Sequence, residues 1–309
     1  METKFNTLIS KIFLAMTFSI ISAACSENNE NSEHHLENLH TQLDTLNWLA
    51  FAPSEFDPSN GVFPSENDIR EDLRLIHQAG FDGLITYALD GSLASIPEIA
   101  KEVGFKSVIA GIFMFNEQQK QEELANIESV ESYVDGWVVG NEGLIGCGGE
   151  LYTANDLLAV FKNIEEKSDK PITTSEQFED YESGCNDNFL LENGDWLMPI
   201  VQPFNNNQRD PQTGADFVKD KILNIQNLSN KKVLAKEVGW PTAGDDAATE
   251  ENQELFFNYL KTYRDQINYA YFEGFNQLFK VNFPFGWEPH YGLWDENRNE
   301  KSFIENNTP

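Results

Sequence analysis

Basic residues are scarce in this chain of 309 residues: 21 Lys and Arg accompany 51 Asp and Glu, which gives a formal net charge of −30. A surface with this charge repels phosphate backbones, anionic lipid headgroups and acidic polysaccharides. We therefore expect no nucleic-acid partner, and the charge favours a neutral substrate.

Histidine is scarce as well, with five residues in the chain. His34, His35 and His40 lie in a polar segment near the amino terminus, which leaves His77 and His290 in the rest of the sequence. Because histidine is the commonest metal ligand of proteins, no His-based metal site is expected. No motif indicates a cofactor, and none is predicted.

Long apolar runs are absent beyond the amino terminus, so no membrane-spanning helix is predicted there. At the amino terminus, Lys4 and Lys11 precede the apolar run "IFLAMTFSIISAA" (12–24), which is too short to span a membrane as a mature helix. This pattern predicts a signal peptide over residues 1–25.

The predicted signal peptide ends in "SAAC" (22–25), which resembles a bacterial lipobox. In that interpretation Cys25 carries a lipid, and residues 26–44 form a flexible polar tether. The protein would then be extracytoplasmic and lipid-anchored at the bacterial cell envelope, on the periplasmic or surface face of the outer membrane. The membrane would be contacted only through that anchor. Ordinary secretory cleavage that discards Cys25 is the alternative.

Eight apolar runs with intervening helical or loop patterns make up the rest of the chain. They cover residues 46–52, 81–88, 105–113, 134–142, 171–177, 195–204, 231–240 and 269–277. Eight strands alternating with helices over about 250 residues predict an α/β fold, a (β/α)8 TIM barrel, as a single catalytic domain over 45–305. A doubly wound open sheet is disfavoured because no Gly-rich phosphate loop follows the first run.

Two of these runs carry a glutamate where the strand is expected to end: Glu142 closes the fourth run, and Glu237 follows "VLAK" (233–236) in the seventh. In a barrel, both carboxylates would emerge at the same catalytic face, where the strands end. A pair of carboxyl groups, one protonated and one ionised, is the equipment for glycoside hydrolysis. The alternative is that each glutamate only caps a strand or pairs with a cation.

The sequences around these glutamates resemble glycoside hydrolase family 17, in particular bacterial laminarinase-like β-1,3-glucanases. "VVGNE" (138–142) is similar to the acid/base signature of the family, and "KEVGWPT" (236–242) to its nucleophile signature. "YFEGFNQLFK" (271–280) and "EPHYGLW" (288–294) resemble its C-terminal signature, and "LITYA" its second strand. Asn276 and Gln277 depart from the family pattern, which has acidic residues there in many members.

The resemblance implies a retaining enzyme that is endo-acting on β-1,3-linked, laminarin-like glucans. Glu142 would be the acid/base and Glu237 the nucleophile that forms a covalent glycosyl-enzyme. Asn141 would hydrogen-bond the 2-hydroxyl of the sugar. A glucanosyltransferase, in which a sugar resolves the same intermediate, is one alternative. A glucan-binding lipoprotein without turnover is the other. The expected oligomeric state is a monomer.

Several further residues receive roles through the same resemblance. Tyr87 would orient the nucleophile or fill the barrel mouth, and Glu273 with Lys280 would form an ion pair that keeps the nucleophile ionised. Glu288 would hold a sugar hydroxyl or its own loop. Weaker candidates for reading sugar hydroxyls are the polar residues at the ends of the fifth and sixth runs: Glu176, Gln202 and Asn205.

Aromatic residues near the predicted site are candidates for stacking on sugar faces. These are Trp240, Trp287, Tyr291 and Trp294. Packing in the core is the alternative for all four rings, and above all for Trp294. The 23 phenylalanines are interpreted as components of a Phe-rich core.

Cysteine occurs three times, and two of the residues, Cys147 and Cys185, lie far from the predicted signal peptide. They follow the fourth and fifth apolar runs, so neighbouring loops of a barrel would bring them together. In an exported protein such a pair is more often a disulfide than a metal site or a nucleophile. A Cys147–Cys185 disulfide is therefore predicted, with two free thiols as the alternative.

Overall fold

The computed structural model describes residues 31–306, in which one parallel sheet is surrounded by helices. The sheet contains seven strands: β1 (Trp48–Ala50), β2 (Gly83–Ile85), β3 (Ser107–Ile112), β4 (Gly136–Val139), β5 (Ile172–Thr174), β6 (Ala235–Val238) and β7 (Tyr269–Tyr271). Their spatial order is β5-β4-β3-β2-β1-β7-β6, and every pairing is parallel. The predicted α/β class with a parallel sheet is confirmed.

Helices follow the strands and cover the outside of the sheet. They are α1 (31–45), α2 (Glu66–Gln78), α3 (Ile96–Val103), α4 (Glu117–Val130), α5 (Ala154–Glu165), α6 (Phe178–Ser183), α7 (Cys185–Glu192), α8 (Pro211–Leu228), α9 (Glu250–Lys261) and α10 (Ser302–Asn306). Ser65 caps the start of α2, in a reciprocal capping box with Asp68. This arrangement satisfies backbone donors that a helix start leaves free.

The predicted sixth strand is present only as a bridged segment, so the described sheet has seven strands and not eight. Leu197 pairs in parallel with Val233 before β6, and Ile200 pairs with Gln177 after β5. The segment thus lies between the two outer strands of the sheet. Pro199 interrupts it, because a proline has no N–H to donate to a ladder.

Two apolar layers lie on opposite sides of the strands. Outward-facing side chains such as Leu84, Val108 and Val139 pack against the helices. Inward-facing side chains such as Ile109 and Val138 form a second cluster inside the curled sheet. The alternation follows from the period of two in a strand, with both faces buried as in a parallel sheet.

The prediction of a flexible tether over 26–44 is wrong for its described part, because residues 31–45 form helix α1. Leu39 and Leu43 are fully buried in the inner cluster beside Trp48. Ser107, the first residue of β3, donates a hydrogen bond to the side chain of Gln42 (Oγ to Oε1, 2.8 Å). Helix α1 therefore closes the amino end of the sheet, and this burial offsets the polar composition of the segment.

The predicted signal peptide, residues 1–25, and its Cys25 lie outside the described residues. Among residues 31–306, no helix is both long and apolar enough to cross a membrane.

Candidate active site

A cleft of about 1000 Å³ opens at the carboxyl ends of the strands. Its walls come from the loops after β1, β2, β3, β4 and β7, from Gln202 and Asn205, and from Glu237 within β6. Glu142 and Glu237 both line it, as the predicted barrel face required.

A register shift in β6 directs Glu237 toward the cleft. Ala235 pairs with Tyr269 and Val238 with Tyr271, so three steps along β6 match two along β7. Such a bulge inserts one extra residue and changes the direction of the side chains around it. As a result, the neighbouring side chains of Lys236 and Glu237 both take part in the site.

The Glu237 carboxylate accepts hydrogen bonds from two sides. The Tyr87 hydroxyl donates to Oε1 (3.1 Å), and the Gln202 side-chain amide donates to Oε2 (3.0 Å). Lys236 Nζ lies 4.0 Å from Oε1. Donors and a cation stabilise an ionised carboxylate, as a nucleophile requires. Tyr87 thus makes the contact that was predicted for it.

Glu142 has a different environment. Its backbone is left-handed, with φ at 52°, and follows Gly140 in the same region at 77°. The side chains of Gln177 and Asn141 donate to its two oxygens, the latter at 3.4 Å. Glu142 is exposed toward the cleft, but the surrounding cleft atoms partly desolvate its carboxyl group, and the charge of Glu237 disfavours a second negative charge. Together these raise the pKa of Glu142 to about 8, so it is protonated at neutral pH, as a general acid requires.

Lys236 is a site residue that the sequence did not single out. It is fully buried, donates to Asn141 Oδ1 (2.7 Å) and lies 4.2 Å from the centre of the Tyr87 ring. Burial lowers its pKa to about 8, although the charges of Glu237 and Glu142 oppose this. The sequence feature that could have pointed to Lys236 is a lysine at the end of a strand that is otherwise apolar. Since Lys236 occupies the oxygen of Asn141, the amide N–H groups of Asn141 face the acid/base.

The predicted ion pair of Glu273 and Lys280 is present, with Nζ 2.7 Å from Oε1. Glu273 is buried at the cleft wall, and its Oε2 has no hydrogen-bond partner among the described residues. Burial raises its pKa to about 7, while Lys280 acts in the opposite direction. Glu288 also lines the cleft and accepts a long hydrogen bond from Asn205 (3.4 Å).

Trp240 does not offer a face to the cleft, which corrects the sequence-based expectation. It is fully buried between Phe204 and Phe256, with ring centroids at 5.0 and 5.3 Å. Its indole N–H donates to the carbonyl of Ala247 (3.1 Å). The core alternative holds for Trp240, and for Trp294, which is buried as well.

Trp287 and Tyr291 do not belong to the residues that line the cleft within the described part of the chain. Both donate to Oδ1 of Asn205, at 2.8 and 3.2 Å, and Tyr291 is fully buried. Asn205 in turn donates to Gln202 Oε1 (2.6 Å). Both rings therefore support a polar network beside Glu237. The expectation that Tyr291 stacks on sugar is wrong because its ring is buried; for the half-buried Trp287, stacking stays a prediction.

Phenylalanine supplies the aromatic lining instead, contrary to the interpretation of these residues as core. Six rings line the cleft in addition to Phe51 and Phe272: Phe56, Phe63, Phe113, Phe115, Phe279 and Phe283. The residue type alone could not distinguish them from core phenylalanines. Their position in loops directly after strands was the available indication.

The predicted disulfide between Cys147 and Cys185 is present, with the Cα atoms 5.4 Å apart. It joins the loop after β4, which carries Glu142, to the start of α7. Among residues 31–306, the one group with metal-type ligands is Cys147, Cys185 and Asp180. Because both sulfurs are bonded to each other, the group offers no thiolate to a metal.

Glu176 supports the acid/base loop and does not line the cleft, so its weak candidacy as a sugar reader is not upheld. It is fully buried and accepts a hydrogen bond from the Tyr152 hydroxyl (2.8 Å). The same hydroxyl accepts from the N–H of Gly143 (3.0 Å), next to Glu142. The buried Glu176 carboxylate thus holds the loop after β4 in place through the Tyr152 hydroxyl.

Residues 49–292 match the family model of the BtgE/BtgC glycoside hydrolase domain. A probable beta-glucosidase btgE of Aspergillus flavus is 27% identical over 194 residues, which is 60% of this chain and 32% of the relative. A probable glucan endo-1,3-beta-glucosidase btgC of Aspergillus fumigatus is 27% identical over 199 residues, 55% of this chain and 28% of the relative. The matched region thus spans about a third of these relatives.

Solved structures share the fold. A glycoside hydrolase family 17 beta-1,3-glucanosyltransferase from Rhizomucor miehei superposes with a TM-score of 0.68 and 19% identity, over 83% of this chain and 95% of that one. An endo-laminarinase from Formosa gives a TM-score of 0.69 and 17% identity, over 84% and 85%. The resemblance that the motifs indicated is confirmed. The chain belongs to the family of BtgE/BtgC glycoside hydrolase domains.

Proposed function

We propose that the protein is a retaining hydrolase of β-1,3-glucans that cleaves within the chain. The observation that supports this most directly is the pair of unlike carboxyl groups in one cleft. Glu142 is held protonated by desolvation and by the neighbouring charge, whereas Glu237 is surrounded by hydrogen-bond donors. Retaining glycosidases divide the two roles in this way.

In the first step, Glu142 donates its proton to the glycosidic oxygen while Glu237 attacks the anomeric carbon. The bond to the leaving sugar breaks, and a covalent glycosyl-enzyme forms with a neutral leaving group. In the second step, Glu142, now ionised, removes a proton from water, which attacks the same carbon and releases Glu237. Tyr87 and Gln202 hold the carboxylate of Glu237 in place through both steps.

The substrate is proposed from the charge of the chain and from its relatives. A net charge of −30 favours a neutral polymer. One relative is named a probable beta-glucosidase and another a probable glucan endo-1,3-beta-glucosidase. An active-site mutant of the Rhizomucor miehei beta-1,3-glucanosyltransferase was solved with laminaritriose. A neighbour that is a glucanosyltransferase keeps transfer to a sugar as the second candidate.

Digestion of laminarin with time-resolved separation of the products tests this proposal. Mixed oligosaccharides that shorten with time are expected. Glucose or a dimer alone from the start would contradict cleavage within the chain. Products longer than the starting oligosaccharide would instead establish transfer.

We further propose that the sheet is a (β/α)8 barrel whose sixth strand is the bridged segment 195–202. Its support is the parallel pairing on both sides, with Leu197 beside Val233 and Ile200 beside Gln177. An experimental structure in which this segment pairs on one side only would contradict the closed barrel.

The cellular location is a proposal as well. The "SAAC" sequence at 22–25 supports lipid attachment at Cys25, with the residues up to α1 as the tether. Cys25→Ser is expected to move the protein from the membrane fraction to the soluble fraction with unchanged activity. A wild-type protein that is already soluble after export would exclude the anchor.

A further inference from the structure

Tyr152 lies behind the loop that carries Glu142, and within the described residues it does not line the cleft. It is buried, and its backbone closes the loop: its N–H donates to the carbonyl of Gly143 (3.1 Å), and its carbonyl accepts from the N–H of Ile145 (2.8 Å). Tyr152 takes no part in the two chemical steps of the proposed reaction, so its place beside the acid/base residue has a different cause.

Two glycines, one on each side of Glu142, make room for the Tyr152 ring. A Cβ at Gly140 would clash with the Tyr152 hydroxyl oxygen, and a Cβ at Gly143 would clash with a carbon of the ring. Gly140 also has φ at 77°, which residues with a side chain rarely adopt. The Tyr152 side chain therefore packs directly against the backbone before and after Glu142.

The backbone of Glu142 depends on such support. Its φ of 52° is left-handed, which is unfavourable for a residue other than glycine. A conformation of this kind persists only where the surrounding structure holds it. The N–H of Glu142 donates to the carbonyl of Ser175 (3.1 Å), and this hydrogen bond holds the residue from one side.

Tyr152 and Glu176 hold the loop from the other side. The Tyr152 hydroxyl donates its proton to Oε1 of Glu176 (2.8 Å), and its oxygen accepts from the N–H of Gly143 (3.0 Å). Oε2 of Glu176 accepts a longer hydrogen bond from the N–H of Leu144 (3.4 Å). Because a hydroxyl has a single proton, the carboxylate leaves the oxygen of Tyr152 as the acceptor for the backbone. The two backbone donors that follow Glu142 are thus both satisfied.

We propose that Tyr152 and Glu176 are positioning residues for proton transfer, which hold the backbone after Glu142 so that its carboxyl group is directed at the glycosidic oxygen. The proposal rests on the proposed function and deepens it. Tyr152 acts through Gly143 and does not touch the substrate. The rate of the first step should therefore depend on Tyr152 only where the leaving group must receive a proton.

Tyr152→Phe removes the hydroxyl and keeps the ring between the two glycines. For laminaritetraose, whose leaving sugar must be protonated, kcat/KM is expected to fall roughly tenfold, the order of one lost hydrogen bond, with the loss in kcat and not in KM. For 2,4-dinitrophenyl β-laminaribioside, whose leaving phenolate needs no proton, kcat/KM should change by less than about twofold.

Tyr133→Phe is the matched control. The Tyr133 hydroxyl also donates to a glutamate, Glu98 (2.9 Å), but this pair is exposed and lies before β4, at the end of the strand opposite to the loop. No change is expected for either substrate. Equal losses for both substrates in Tyr152→Phe would show a general structural role, and no loss for laminaritetraose would show no role. Either result would overturn the proposal.

Glu176→Gln tests the carboxylate in the same two assays. The double variant with Tyr152→Phe should be no slower than the slower single variant, because both residues act through one chain of hydrogen bonds. Losses that multiply would contradict this chain. Rates are compared at about pH 6, because burial and the charges of Glu237, Lys236 and Glu176 act on the pKa of Glu142, and loss of the Glu176 charge lowers it. The tyrosine variant is decisive even if Glu176→Gln does not fold.

Amide hydrogen exchange separates the positioning role from the proposed activity, because it requires no turnover. The N–H of Gly143 should exchange at least about tenfold faster in Tyr152→Phe, since its acceptor is lost. The N–H of Trp137, which is bonded to the carbonyl of Pro171 (2.8 Å), should be unchanged. This result would support the positioning of the loop even if the wild type hydrolyses no β-1,3-glucan. Unchanged exchange at Gly143 would overturn the proposal.

Discussion

The two ends of the strands differ in the side chains that they bury: mainly apolar ones at the amino end, and several ionisable ones at the carboxyl end. At the amino end, Leu39 and Leu43 of α1 pack against Trp48 in an apolar cluster. At the carboxyl end the same strands lead into ionisable groups: Lys236, Glu237 and Glu273 are buried, and the pKa values of Glu142 and Glu273 are raised. Apolar packing at the amino end stabilises the fold. At the carboxyl end, part of that stability offsets the desolvation of ionisable groups.

The cost at the carboxyl end has a direct physical origin. Burial of a carboxyl group disfavours its charged form, and a residue with positive φ such as Glu142 is strained by about 1–3 kcal/mol. Features that disagree with folding preferences are expected where function requires them. The comparison therefore predicts that substitutions at the carboxyl end lower activity more than stability, and that substitutions at the amino end lower stability more than activity.

The largest effect is expected from Glu142→Gln and Glu237→Gln. Each should lower the hydrolysis rate by about 10²-fold or more, because the proton donor or the nucleophile is lost. The melting temperature should change little, since glutamine keeps the shape of each side chain. Rates on laminarin and thermal unfolding measure the two quantities, with exposed Glu150→Gln as control. More than about a tenth of the wild-type rate in either variant would contradict its role.

At the amino end, Leu39→Ala and Leu43→Ala should lower the stability and leave the hydrolysis rate unchanged. Loss of a buried leucine side chain lowers the free energy of unfolding by about 2–5 kcal/mol. The rate below the melting temperature should be unchanged, because α1 lies at the opposite end from the cleft. Denaturant titration measures the loss, and Glu37→Ala on the exposed face of α1 is the control. A loss below about 0.5 kcal/mol would show that α1 does not hold this end.

Sequence patterns identified the glutamate pair but not the role of α1. Strand-end glutamates in a barrel converge by a general rule, so Glu142 and Glu237 could be found without a structure. Leu39 and Leu43 were visible as apolar residues one helical turn apart. Their burial depends on the open end of a sheet formed by residues far along the chain, and the polar neighbours concealed it.

Aromatic residues show the same limit within the site. Trp240 stands next to the nucleophile in sequence, yet the contacts with Phe204 and Phe256 place it in the core. Phe115 has no distinctive neighbours and is exposed in the cleft. Distance along the chain therefore does not tell which ring meets the substrate, because the packing of other elements decides it.

The Cys147–Cys185 disulfide is expected to stabilise the loops at the carboxyl end, as α1 stabilises the amino end. Replacement of Cys147 and Cys185 by serine should lower the free energy of unfolding by about 2–4 kcal/mol, because a long loop is no longer closed. Activity should also fall, since α6 leads into Cys185 and Gln177 before α6 contacts Glu142.

A thiol titration of the unfolded, unreduced Cys25→Ser protein checks the bond itself. No reactive thiol is expected before reduction and two after it. Two thiols without reductant would show that the pair is not bonded.

The smallest change is a pH effect on the rate. Glu142 must carry a proton to act as acid, and its pKa is raised to about 8. The rate should therefore be retained from pH 6 to 7 and fall as the pH rises through about 8. A pH–rate profile on laminarin measures this. Replacing Lys236 by Met removes the cation that lowers the pKa of Glu142, so the alkaline limb should shift upward. A limb that falls already near pH 5 would contradict a protonated Glu142.

The central claim is that Glu237 forms a covalent bond to the sugar and Glu142 transfers the protons. NMR of the anomeric protons in the first minutes of hydrolysis of a β-1,3-oligosaccharide tests it most directly. Two displacements at one carbon retain its configuration, which corresponds to carboxyl groups about 5–5.5 Å apart. The account predicts that the β-anomer appears first and the α-anomer later by mutarotation. An α-anomer as the first product would mean direct attack by water and would contradict the nucleophilic role of Glu237.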